Sequence, residues 1–185
     1  MRKIANLLFE ARKLKDIPRS GYQFLEAGGE TVAEHSFMAT FIAFVLSRMH
    51  PDIDHDKLIR MCLVHDLPET RTGDLNHVQK RYVAPDEHRA MEDALSGIPF
   101  KADIMNLIEE FNEGTTPEAR LARDADQLAF ILDLKALADL GYKPPLKWLN
   151  NVVGRLFTDT GKNLAESILA TDSDAWWMPD GHPVD

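Results

Sequence analysis

Apolar residues recur every three or four positions along most of this chain, and the two-residue alternation of a half-buried strand is nearly absent. Ile4, Leu7, Leu8, Ala11 and Leu14 form one stripe. That spacing predicts a first helix of about four turns that stops before Pro18. Residues 18 to 29 break the period, carry Gly28 and Gly29, and read as an ordered loop. Thr31 is placed to cap a long helix bearing Val32, His35, Phe37, Met38, Phe41, Ile42, Val45, Leu46 and Met49. After Pro51, a third helix runs through Leu58, Met61, Cys62, Leu63 and Val64 into His65-Asp66, and Gly73 breaks it.

Residues 76 to 83 are polar and predict loop or short turns, after which Pro85-Asp86-Glu87 opens a helix through Leu95, halted by Gly97 and Pro99. A further helix spans Ala102 to Phe111. The longest candidate starts at Pro117-Glu118 and runs through Leu121, Ala125, Leu128, Ile131 and Leu134 to Leu140, with Gly141 behind it. Pro144-Pro145 turn the chain into an amphipathic stretch, Trp148, Leu149, Val152, Val153, Leu156 and Phe157, whose default place is the core. Gly161 then leads into Leu164 to Leu169. The whole predicts an all-α, single-domain helical bundle over residues 1–172, followed by an irregular C-terminal tail, 173–185.

A chain of 185 residues buries enough surface to fold without staples. Cys62, the only cysteine, lies in an apolar run, which excludes an intrachain disulfide and fits core packing in a reducing, cytoplasmic compartment. The formal net charge of −9 argues against a nucleic acid polymer or an anionic membrane surface as partner. No run of about 18 apolar residues predicts a membrane span.

The chemistry concentrates at His65-Asp66, where one turn of backbone offers an imidazole and a carboxylate. His35, His65, Asp66 and Asp126 make a two-imidazole, two-carboxylate ligand set suited to one divalent transition metal ion: Mn, Co, Fe, Ni or Zn. Asp124, two positions earlier on the same predicted helix, is the alternative donor. A closed structural zinc site would more readily use several cysteines, and the chain has one. A divalent ion with open positions lowers the pKa of bound water to about 7 and polarises a phosphoryl oxygen, so phosphate-ester hydrolysis follows. Glu69 lies four residues after His65 and three after Asp66; a helix persisting that far would aim it at the same ion as general acid/base or water positioner. Asp74 follows Gly73, a residue that lets backbone turn sharply toward a ligand. His50, His55, His88 and His182 read as surface residues, as does the acidic patch of Glu87, Glu92 and Asp93.

The order Glu34-His35, His65-Asp66, Thr72-Gly73-Asp74 and Asp124-Ala125-Asp126, together with Leu14-Lys15-Asp16-Ile17-Pro18-Arg19, resembles the HD-domain metal-dependent phosphohydrolases, specifically their 5'-deoxynucleotidase branch, over residues 1 to 140. The resemblance implies an HD-type helical bundle with one divalent cation on His35, His65, Asp66 and Asp126, Asp124 falling at a variable position of the branch pattern. It gives Glu69 and Asp74 catalytic roles and makes Arg19 a phosphate-orienting residue. Asn76 and His77 fall where similar enzymes line the substrate pocket, which Asp66 also faces. Some bacterial relatives carry a tryptophan directly after this arginine that is tied to deoxyribose preference. This chain has Ser20 there, with Tyr22 as a substitute sugar wall. The implied activity is hydrolysis of (deoxy)nucleoside 5'-monophosphates, in a homodimer. The alternatives are a triphosphate, cyclic nucleotide or alarmone substrate, or a non-catalytic module that keeps the metal for stability. Alarmone hydrolases usually carry two adjacent acids where this chain has Pro68 before Glu69 alone.

Overall fold

In a computed structural model that describes residues 1–178, the chain is all-helical, with no strand among the described residues beyond one isolated antiparallel bridge, Pro18 to Thr31. Helix α1 (Arg2–Ala11) continues as a 3-10 turn, Arg12–Asp16, and the chain turns extended at Ile17 ahead of Pro18. Residues 17 to 32 form a closed loop holding the single turn α2 (Tyr22–Leu25). Arg19 N donates to Glu30 O at 2.8 Å and Val32 N to Ile17 O at 2.9 Å. This closure sets Arg19 beside the start of α3 (Val32–Met49). A capping box opens α3: Thr31 Oγ1 accepts from Glu34 N at 3.2 Å and Glu34 Oε2 accepts from Thr31 N at 2.7 Å.

Asp54 caps α4 (His55–Val64), accepting from Lys57 N at 2.9 Å. The chain continues through α5 (Glu69–Thr72), a 3-10 turn at Gln79–Arg81, α6 (Glu87–Ala94), α7 (Lys101–Glu113), α8 (Pro117–Asp139), α9 (Pro144–Val153) and α10 (Asp159–Leu169). Helices α3, α4 and α8 pack around Leu46, Leu58, Met61, Cys62, Leu128, Ile131 and Leu134, all fully buried. A second core of Leu7, Leu14, Val32, Leu67, Met91, Leu95 and Ile108 joins α1, α6 and α7. Val64 packs against both, so His65 and Asp66 leave α4 at the seam between the two cores.

Several sequence expectations are corrected here. The third helix does not persist to Gly73. It ends at Val64 and tightens into i−3 bonds, Leu67 N to Val64 O and Glu69 N to Asp66 O, both 3.0 Å, because Pro68 has no N–H to extend the ladder. Gly161 does not precede the last helix but lies inside its first turn. A Cβ there would run into the Asp124 carboxylate, so only glycine admits that approach. Leu149, Val152 and Leu156 enter the core and Trp148 and Val153 pack against it as expected, whereas Phe157 remains exposed at a cavity rim. His50 and His55 are half-buried rather than surface residues: His50 Nε2 meets Thr160 Oγ1 at 2.9 Å, and His55 Nε2 donates to His50 O at 2.9 Å, tying α10 to the end of α3. His88 is exposed, and His182 lies outside the described residues.

Candidate active site

His35, on the inner face of α3, is completely buried, and its Nε2 lies 2.8 Å from Asp126 Oδ1 on α8. A nitrogen and a carboxylate oxygen that close need a cation or a proton between them. His65 caps the C-terminal end of α4. Its Nδ1–H donates to the Cys62 carbonyl at 2.8 Å, one of the free carbonyls at that helix end. This fixes the tautomer and directs Nε2 inward, where it is buried without a hydrogen-bond partner, 3.2 Å from Asp66 Oδ2 and 3.9 Å from Asp126 Oδ1. Ligand atoms of His35, His65 and Asp126 all fall within 4.8 Å of one another. Two inward imidazole nitrogens, one of them an orphan, against two carboxylates form a donor set that fits a divalent transition ion.

The electrostatics agree. Burial opposes charge on His65, but the Asp66 and Asp126 carboxylates outweigh it and lift its pKa to about 9. Burial also works against the charge on Asp66 and Asp126, yet the facing imidazoles and Arg19 hold both below the usual carboxylate range. These groups are set to hold positive charge between them.

Arg19 is placed by the closed loop at the edge of this cluster, with Nη1 3.4 Å from Asp66 Oδ2 and Nε 3.8 Å from Asp74 Oδ2. Burial works against its charge, but Asp66, Asp126 and Asp74 keep it protonated. Asp74 also accepts from the Ser20 amide at 2.8 Å, which ties the Arg19 loop to the turn after α5. That turn rests on Gly73, whose φ of 72° and ψ of 161° suit glycine almost alone. Glu69 reaches the cluster from the first residue of α5 rather than along a continued α4, with Oε2 buried and unpartnered. Burial first, and then the Asp66 and Asp74 charges, push its pKa up to about 9 against the pull of Arg19.

Arg19, His65, Asp66, Glu69, Asp74 and Asp126 border one cavity of about 290 Å³. Beside it lies a cavity of about 240 Å³ walled by Ser20, Tyr22, Asn76, His77, Phe130 and Trp148. The Tyr22 hydroxyl is tied to Asp133, so only its ring is free to act as a wall. Asn76 Oδ1 is occupied by the amides of Val78 and Gln79, each at 3.0 Å, and braces the following turn. The His77 ring sits 5.1 Å from Phe24 and 6.0 Å from Trp148.

Asp124 is not part of the cluster. It points to the other side of α8, fully buried, and accepts from Phe157 N at 2.7 Å and Thr158 N at 2.9 Å. Of Glu87, His88, Glu92 and Asp93, His88 and Asp93 are exposed as expected, while Glu92 is half-buried and paired with Lys101 and half-buried Glu87 borders the carboxylate cavity.

Four groups escaped the sequence reading. Glu30 faces His35 Nδ1 at 3.7 Å; both atoms are buried without partners, and burial together with Asp133 raises the Glu30 pKa to about 8. Its place just before the Thr31 cap was the available signal. Gln127 Nε2 donates to Asp126 Oδ2 at 2.7 Å and so orients that carboxylate. Lys80 and Arg155 border the same cleft from segments without any motif.

The HD-domain profile matches residues 11–168. Among known proteins, the chain is 27% identical to 5'-deoxynucleotidase HDDC2 of Danio rerio over 139 residues, covering 71% of this chain and 68% of that protein. It is likewise 27% identical to 5'-deoxynucleotidase HDDC2 of Homo sapiens over 138 residues, covering 71% and 67%. Among solved structures, a conserved hypothetical protein from Pyrococcus furiosus superposes with a TM-score of 0.74 at 26% identity, covering 90% of this chain and 99% of that one. With the profile spanning most of the chain and the paired His-Asp motif meeting Asp126 at one centre, the protein belongs to the HD-domain family.

Proposed function

We propose that this chain is a metal-dependent 5'-nucleotidase, hydrolysing (deoxy)nucleoside 5'-monophosphates to nucleoside and phosphate. The observation that carries this reading is the convergence of an ion-binding cluster, one arginine and a buried, unpartnered Glu69 on a cavity that adjoins an aromatic-walled one. The 5'-deoxynucleotidase relatives supply the reaction class.

His35, His65, Asp66 and Asp126 hold the divalent ion: Mn, Co, Fe, Ni or Zn. When bound, it supplies Lewis acidity at the phosphoryl oxygen and lowers the pKa of water to about 7. Arg19 donates to the phosphate oxygens and, through its contact with Asp66, aligns that carboxylate as well. Glu69 carries the proton needed by the departing 5' oxygen. Asp74 positions Arg19 and the Ser20 backbone. Tyr22, His77 and Asn76 wall the nucleoside side. With serine at position 20, ribose and deoxyribose both fit this reading. The working unit is residues 1–172, in a reducing cytoplasmic setting consistent with a single buried thiol. Among the described residues, no helix is long and apolar enough to cross a membrane.

The test is phosphate release from deoxy- and ribonucleoside monophosphates, triphosphates and cyclic nucleotides with Mn, Co, Mg or no metal. Release from monophosphates that a chelator abolishes, with the helical circular-dichroism signal intact, is the expected result. Release from the other nucleotides alone overturns the substrate assignment.

The enzyme is further proposed to act as a homodimer. Phe37, Phe41, Phe44 and Val45 form one exposed face of α3, with Leu63 of α4 also exposed, an apolar patch of the kind that pairs. Light scattering is expected to give twice the chain mass for the wild type and the single-chain mass for Phe41→Glu. An unchanged mass in the variant removes this face from the interface.

A further inference from the structure

Arg155 lies just beyond α9, exposed, and its guanidinium makes no hydrogen bond or ion pair among the described residues. It nevertheless borders four cavities: the carboxylate cleft, the aromatic-walled pocket, a third of about 570 Å³ that reaches Asp126 and Gln127, and a fourth of about 380 Å³ shared with His77 and Trp148. Its position is built into the fold. Asp124, buried beneath, fixes the following backbone by accepting from Phe157 N and Thr158 N, Leu156 is buried, and Gly161 gives the carboxylate room. A partner-free cation is thereby held over the cleft by a fully buried anchor.

The charges in the cleft give it a use. Asp66, Glu69, Asp74 and Asp126 face a single arginine, Arg19, which is already engaged by Asp66 and Asp74. A divalent ion brings that set only to neutrality if Glu69 keeps its proton, and to one net negative charge if it does not. Neither state leaves surplus positive charge for a phosphate dianion. Lys80 borders the same two cavities and is likewise unpaired among the described residues.

We propose that Arg155 is a substrate-binding residue that grips the phosphate group of the nucleotide, with Lys80 as the second cation. The inference rests on the nucleotidase reading for its substrate, but not for its test. A guanidinium offers paired donors matched to two phosphate oxygens, whereas an ammonium offers a point charge.

The experiment is calorimetric titration of the metal-loaded, full-length protein with inorganic phosphate and, separately, with an unphosphorylated nucleoside, for wild type, Arg155→Ala and Arg155→Lys. Arg155→Ala is expected to weaken phosphate binding about tenfold and leave nucleoside binding unchanged, with Arg155→Lys recovering part of the loss. Where the wild type turns over monophosphates, KM rises in Arg155→Ala more than kcat falls. Unchanged phosphate affinity in Arg155→Ala overturns the proposal, as does a loss confined to the nucleoside. If no monophosphate is hydrolysed, the nucleotidase reading fails by itself, and phosphate affinity still decides the role of Arg155.

Discussion

Asp126→Asn is expected to lose metal at least about 100-fold more readily than the wild type, and its phosphatase activity with it. The substitution keeps the size of the side chain and one acceptor oxygen but removes the charge that closes the cluster against His35 at 2.8 Å. Metal content after dialysis, and the melting temperature with and without added ion, read the effect. An ion present at 100 times its Kd stabilises the wild type by about 2.7 kcal/mol, a gain that the variant does not show. Asp124→Asn is the control. It loosens the backbone at Phe157 and Thr158, lowers the melting temperature and leaves metal content intact. Metal retained by Asp126→Asn and lost by Asp124→Asn would reverse the assignment of the two aspartates.

Glu69→Gln is expected to lower kcat by about 10²- to 10⁴-fold while metal content stays at the wild-type level. A general acid works only while protonated, so wild-type activity falls as pH rises through the Glu69 pKa. That value is about 9 without metal and is drawn down by a nearby cation. The glutamine variant lacks this alkaline limb. The same shift bears on stability. A carboxyl whose pKa rises on folding stabilises the metal-free fold fully below its ordinary value near 4.5, and that contribution fades as pH climbs toward 9. His65, raised from 6.5 to about 9, acts in the same direction. Metal-free Glu69→Gln therefore loses less of its melting temperature than the wild type between neutral pH and pH 9. A variant with wild-type rate and an unchanged pH profile removes Glu69 from the chemistry.

The helical architecture was legible because helical periodicity and capping chemistry are local: Thr31 caps α3 and Pro117 opens α8 where the chain suggested. The residues that converge at the candidate metal site were legible because His65 and Asp66 are sequence neighbours and the other two lie on long, well-marked helices. What failed was long-range or depended on a single bond. Pro68 ended α4 early, so Glu69 arrives by a different turn from the one its spacing suggested. Asp124 looked like a spare ligand because its true partners, the amides of Phe157 and Thr158, lie more than thirty residues away. Glu30, Lys80 and Arg155 sit in loops or beside helix ends, where no periodicity marks which way a side chain turns. The cleft's cations were invisible for that reason.

Asp124 and Asp126 make α8 a ruler. Successive residues on an α-helix are about 100° apart, so Asp126 can face the ion while Asp124, two positions back, faces the linker to α10. One inserted residue between them would rotate one carboxylate by about 100° relative to the other, leaving either the metal or the Arg155 segment unsupported. Homologous insertions and deletions should thus collect in the α8–α9 turn at Gly141 and spare residues 124 to 126, since that spacing sets the phasing between the metal and the linker that carries Arg155.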